Sequence, residues 1–465
     1  MFDGITNNVI SEISSSYESK TAIDEKLIDN YILALDLATV EQPSYFQKVI
    51  PLVNQTLLDN AYPTIDPTGA LIKLLEKVLS YLNFQQIVAF YPTDFILENL
   101  FSVSSISILC LKILTLNVHQ LETQEFLSSN NVVARLLKVF FDENTQISVL
   151  SSIETLVAAL YSSEIHLLDR GQDRLYSVRK STNAVLLARL LDLLLILVDK
   201  SSNLDPKLYN FNEREILTFS DDPLFLILLI QFYIKAIGTN LTIEGSITAV
   251  MTLYKKGELD DIVNSEVADL VAKMTYHGYK SLLSDFEIFK TYNLIKVFDK
   301  DEVEIKLLSK SNPGVMYSLN PSIYDDVLKN LPLFDHIYLP ILLNFLASPQ
   351  AWMSLKLKLT NEQLESLSKD KLFSLLLSMS KYKHTKEYLF NNLPNIMNNE
   401  VIESDIRNND IWKLKLQILE NLKHSEEVSG FGIWENKIEE SYNLMKFGQS
   451  YKHVQPKVEV IDDTA

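Results

Sequence analysis

Cysteine is nearly absent from this 465-residue chain. One thiol, Cys110, excludes an intramolecular disulfide and fits a reducing compartment. It sits in the apolar run from Ile106 to Leu111, so it reads as a buried core thiol rather than a reactive one. Glycine (11) and proline (14) are also scarce. Tight-turned sheets and phosphate-cradling loops both consume glycine, so the shortage disfavours nucleotide-binding α/β folds and favours helices. Long hydrophobic runs are missing too. Leu186–Val198 is broken by Arg189 and Asp192, and Pro223–Ile237 by Gln231 and Lys235; neither reaches the roughly 20 apolar residues of a membrane span. The opening MFDGITNNVISEISSSYESK has no apolar core and is expected to be neither signal peptide nor presequence. A basic excess is lacking: 42 basic against 60 acidic residues give a net charge of −18. Residues 1–160 alone carry 18 acidic and 8 basic side chains, a net of −10. Such a surface repels phosphate backbones and suits a basic protein partner, although acidity is also common in soluble cytosolic proteins.

What is present is helix-period hydrophobicity. The chain is 47% hydrophobic and 22% charged, the balance of a folded protein. Asn131–Leu160 displays the design. Val133, Leu136, Leu137, Phe140 and Phe141 recur at helical spacing, and Asp142-Glu143-Asn144-Thr145 interrupts them. A second helix then carries Ile147, Leu150, Ile153, Val157 and Leu160 on one stripe and Ser148, Ser151, Ser152 and Thr155 on another. Thr145 is positioned as its N-cap. Neither helix buries its stripe alone, so each pair needs a stacked neighbour. The pattern returns at a spacing close to 40 residues, in the range of HEAT and armadillo repeats. The expected fold is all-α, a HEAT/armadillo-like α-solenoid. Residues 1–200 form an N-terminal half, 201–221 a junction, 222–451 a C-terminal half and 452–465 a disordered tail.

Catalytic chemistry is not legible. Ser429-Gly430-Phe431-Gly432 lacks the strand–turn–helix setting of a phosphate loop. The seven histidines are scattered without zinc-ligand spacing. Ser368-Lys369-Asp370-Lys371 has the Ser-x-x-Lys form but no companion motif. Asp221-Asp222, Asp260-Asp261 and Asp325-Asp326 read as helix-capping charges. The expectation is a non-enzyme with no cofactor, offering a long binding surface. Surface reasoning gives ten candidate contact residues. Tyr91 and Glu98 lie in the 84–100 segment, and Asp142 and Glu143 in the turn. Ser148, Ser151, Ser152 and Thr155 form a hydroxyl stripe that would admit a partner closely. Arg174 and Arg179 fall in the positively charged interval 170–180, an exposed loop or a solvated connection.

Several blocks carry a resemblance. FQQIVAFYPTDFILENL (84–100), LLKVFFDE (136–143), ARLLDLLLI (188–196), HTKEYLFNNLPNIM (384–397) and KIEESYNLMKFGQSY (437–451) together resemble, in order, the fungal HEAT-repeat chaperones of proteasome base assembly. That family is also described as acting in DNA mismatch repair. The resemblance implies a C-shaped stack of about eleven helical hairpins. It also implies transient binding, on the concave face, of the C-terminal helical domain of one ATPase subunit of the regulatory particle, near its neighbouring base subunits. The chaperone would leave before maturation. No membrane association and no direct nucleic-acid contact are expected, and the location would be the cytoplasm, with or without the nucleus. A generic solenoid adaptor of the transport or phosphatase-scaffold type remains open. So does an indirect role in mismatch repair.

Overall fold

Polar side chains, more often than glycines, begin the helices in this chain. Asn83 accepts from the Gln86 N–H while the Gln86 side chain accepts from the Asn83 N–H, and Asn212 and Glu215 repeat the arrangement. Asp222 accepts from Phe225 N at 3.1 Å and Asp260 from Ile262 N at 2.9 Å, so both aspartates cap as their positions implied. Asp66 is the most enclosed of these acceptors, at 3% exposed. Its carboxylate takes the Ala70 and Leu71 N–H groups at 2.8 and 2.9 Å and the Tyr62 hydroxyl at 3.2 Å. Gly69 precedes that helix at φ +74°, a left-handed turn that a Cβ would strain. Asp66→Ala would leave three buried donors unpaired. It is expected to lower stability by about 2 kcal/mol, measurable by urea denaturation; a loss under about 0.5 kcal/mol would mean the cap is replaced by water.

In a computed structural model that describes residues 2–37, 46–102, 105–162, 172–198, 204–423 and 432–448, the chain is an all-α helical solenoid. No strand occurs among the described residues. The expected tail at 452–465 and Ser429, Gly430 and Phe431 lie outside them. Two compact units divide at Ser246 and Ile247. The 201–221 stretch falls inside the first unit, where Pro206–Tyr209 and Glu213–Leu217 are short helices. Leu208, Tyr209, Phe211 and Ile216 are buried there, so the apolar stripes are short without being absent.

In the first unit one file of helices runs Glu25–Leu37, Ala70–Leu79, Ser105–Leu116, Ile147–Ser162, Ala184–Val198 and Pro223–Ala236, each packed on the next. A second file of mostly shorter helices includes Leu121–Ser129, Val132–Phe140 and Gln172–Arg179. In the second unit the corresponding file is Asp261–Thr275, Glu302–Lys310, Leu339–Phe345, Lys369–Met379, Asn409–Lys423 and Ile433–Phe447. Apolar faces meet between files: Leu109, Cys110, Leu111, Ile113 and Leu114 are at most 1% exposed. Burial pushes the Cys110 thiol up to about 12, which keeps it protonated and inert.

Polar ties join successive hairpins at nearly constant sequence separation. Lys235 donates to the Leu195 carbonyl 40 residues back, Asn344 to Leu308 at 36, Lys371 to Phe334 at 37 and His384 shares a hydrogen bond with Leu346 at 38. The repeat expected from periodicity is therefore visible as bonding register.

Three local expectations change. Thr145 does not cap the next helix; its hydroxyl turns back to the Val139 carbonyl at 2.5 Å. Ile147 begins that helix and is 84% exposed, because the buried face is set by Val149, Ile153, Leu156, Val157 and Leu160 instead. The 172–179 part of the basic interval is helix, held by buried Leu175 and Val178.

Candidate functional site

The helix Ile147–Ser162 offers its polar stripe on the face away from Ile153 and Leu156. Ser148, Ser151 and Thr155 are exposed and Ser152 is half-buried. The Ser152 hydroxyl donates to the Ser148 carbonyl and that of Thr155 to Ser151, each at 2.8 Å. Thr115, on the neighbouring Ser105–Leu116 helix, bonds Leu111 in the same way at 2.8 Å. Hydroxyls so satisfied ask little of a visitor and present short side chains and lone pairs. Between the two helices and Ala70–Leu79 lies an open groove of about 250 Å³. Its floor is this small-residue stripe, its apolar wall is Leu116 (42% exposed), and its far wall is the Lys112–Glu76 ion pair.

Alongside the stripe the acidity sharpens. Glu154, on the Ser151 helix, and Asp192, on Ala184–Val198, are both half-buried. Burial raises both carboxyls above their usual range, and the Asp192 charge raises Glu154 further. An approaching cation would relieve both effects at once. This face therefore sets short hydroxyl side chains beside two half-buried carboxyls. Among the described residues no group of three or more His, Cys, Asp or Glu is placed to hold a metal, and no helix is long and apolar enough to cross a membrane.

The structure separates the ten residues singled out by sequence. Ser151, Ser152 and Thr155 meet in the groove, and Ser148 continues their stripe. Glu98, Asp142 and Glu143 are exposed. Glu143 is also engaged within the fold: Asn183 donates to its carboxylate at 2.6 Å, and Arg189 donates to the Phe140 and Asp142 carbonyls at 2.9 and 2.6 Å. Tyr91 is 1% exposed and its hydroxyl donates to Asn54; a side chain so enclosed offers no contact surface. Arg174 is half-buried, with an Nε that has no partner among the described residues.

Arg179 is an internal clamp. Its Nη2 reaches the Asn210 carbonyl at 2.5 Å and Glu215 Oε1 at 3.0 Å, and its guanidinium lies 3.6 Å from the Phe211 ring centroid. It closes one wall of an open cavity of about 940 Å³ that also holds Tyr176, Lys180 and Lys207. Tyr176 donates to Asp205, which lowers the Asp205 carboxyl and raises the Tyr176 hydroxyl.

Sequence reasoning missed Glu76, Lys112, Thr115 and Leu116 as groove residues. The available signal was the spacing of opposite charges at Glu76 and Lys112, 36 residues apart, one repeat length.

Two family models match the chain. The one described as DNA mismatch repair protein HSM3, N terminal domain, covers residues 7–238, and its C terminal domain counterpart covers 240–465. Among curated proteins, one from Candida albicans is 44% identical over 100% of both chains. One from Scheffersomyces stipitis is 38% identical over 99% of this chain and 98% of its own. One from Debaryomyces hansenii is 29% identical over 99% of each. All three bear the name DNA mismatch repair protein HSM3.

Proposed function

We propose a function from one premise: the chain belongs to the HSM3 family. In this proposal the protein is a chaperone for assembly of the proteasome regulatory-particle base. It holds the C-terminal helical domain of an ATPase subunit and lets go before the particle matures. It works by differential binding and steric exclusion, with no bond made or broken. The observation that carries the reading is the groove of Ser151, Ser152 and Thr155, a shallow seat between three successive helices. A helix edge of a partner domain fits such a floor closely because no long side chain stands on it. The partner reading itself comes from the sequence resemblance.

Ser151→Trp fills the groove from an exposed position. Recovery of the ATPase subunit from extract is expected to fall at least tenfold, with stability changed by less than about 0.5 kcal/mol. Unchanged recovery would remove the groove from the reading, and a wild-type pulldown without any base ATPase subunit would remove the reading itself. Towards a basic partner surface, the net charge of −18 should also make association faster at low salt.

The names of the relatives favour a second reading, an effect on DNA mismatch repair. With this charge the effect would be indirect, through a protein partner. Saturable binding to labelled duplex at low salt, weakening steeply as salt rises, would instead make it direct.

A further inference from the structure

A second concavity, in the C-terminal unit, is built from one repeat step. The helices Asp261–Thr275 and Glu302–Lys310 pack side by side and are tied along most of their length. Lys306 donates to the Ser265 carbonyl and hydroxyl at 2.9 Å each, and Lys306 and Lys310 both pair with Asp269 at 2.7 Å. One step towards the N-termini the same interface carries Asn264 and Glu304, and there the ties stop. Glu304 is 7% exposed; protonated, it shares a hydrogen bond with the Asp301 carboxylate, but ionised its buried Oε2 meets no donor among the described residues, and the Asn264 Oδ1 is likewise without one. Both residues line a cavity of about 320 Å³, near the lower end of small-ligand pockets. Buried acceptors without donors are rare in folded proteins, so the ionised carboxylate and the Asn264 amide oxygen call for a donor that arrives from outside.

The surroundings specify that donor. Tyr254, Phe286 and Tyr292 line the same cavity, and aromatic rings of this kind favour a flat cation. Asp301, the N-cap of the Glu302–Lys310 helix, adds a second carboxylate beside Glu304. A guanidinium offers several N–H donors in one plane and keeps its charge at any physiological pH, which an ammonium does with fewer directions and greater hydration. We propose that this pocket receives the guanidinium of an arginine side chain carried by a partner protein. The proposal stands independently of which partner the N-terminal groove holds.

The groups facing Glu304 set the pH response. Asp301 raises it through a hydrogen bond and its charge, after burial, and Lys296 lowers it, leaving the carboxyl at about 7. Tyr254, Asp261 and two cations, Lys255 and Lys296, also line the cavity. Binding of a cation requires the ionised form, so affinity should be about tenfold higher at pH 8 than at pH 6.

The test titrates the full chain calorimetrically with Nα-acetyl-arginine methylamide, with its citrulline counterpart as neutral control, and with agmatine as a free amine. Saturable binding of the capped arginine is expected, absent for citrulline and at least tenfold weaker in Glu304→Gln, whose thermal unfolding verifies that the variant is folded. Equal binding of citrulline, no effect of E304Q, or no saturable binding would overturn the proposal. Agmatine binding without capped-arginine binding would overturn it as well, since the pocket would then serve free amines.

Discussion

Arg179→Ala is expected to lower the local opening free energy around the Gln172–Arg179 helix by about 3 kcal/mol, and Arg179→Lys to recover less than half of that loss. The side chain is only 12% exposed, against 38% for its partner Glu215. Removing it leaves a carboxylate half-covered and the Asn210 carbonyl without its donor, and it uncovers the Phe211 face. Glu215 already spends its other oxygen on the Asn212 N–H at 2.8 Å, so it cannot turn elsewhere without losing the cap. A lysine keeps the charge but cannot reach carboxylate and carbonyl in one plane while lying on a ring. Hydrogen exchange at the Leu175, Val178 and Ile216 amides reads the effect. If those amides kept their protection while partner recovery fell, Arg179 would be a contact residue after all.

The second large effect is a dependence on pH. Glu304 carries a carboxyl raised to about 7 from an ordinary 4.5, chiefly by burial. Between those values the folded chain holds a proton that the unfolded chain has released, so this group's contribution to stability is present below pH 4.5. It is lost as pH rises to 7 and constant above. The total is about 3 kcal/mol. Glu304→Gln removes the dependence, so the variant should gain on the wild type by about that amount between pH 4.5 and pH 8. Parallel urea-denaturation curves for the two proteins across that range would show that Glu304 is solvated in the folded state. The same substitution is expected to weaken arginine binding at least tenfold, so the pocket exchanges stability for a receptive acceptor.

These two residues mark where reading the sequence stops. The helices were legible because Leu136, Leu137, Phe140 and their successors repeat at the helical period, and Asp222 and Asp260 sit where caps belong. Cys110 was legible because its neighbours are all apolar. Arg179 was not, because its partners lie 31 and 36 residues downstream and nothing nearby marks it as enclosed. Tyr91 was misjudged for the same reason, its acceptor Asn54 being 37 residues away. Periodicity describes one helix at a time and finds the face that must be covered. It does not say which charged residue a neighbouring hairpin will cover as well. Glu304 sits in EVEIK, an ordinary surface pattern, and is buried because its helix packs against Asp261–Thr275 and against the turn at Ile295–Asp299.

The register bonds between hairpins reach back a bounded distance. Asn421 finds Ser380 41 residues behind it, and Ser378 finds the Leu343 carbonyl 35 behind. During synthesis, then, each emerging hairpin meets a docking face that has already left the ribosome, and none of these bonds has to wait for sequence still to come. The chain can thus complete its own architecture progressively, with little time spent exposing unpaired apolar stripes.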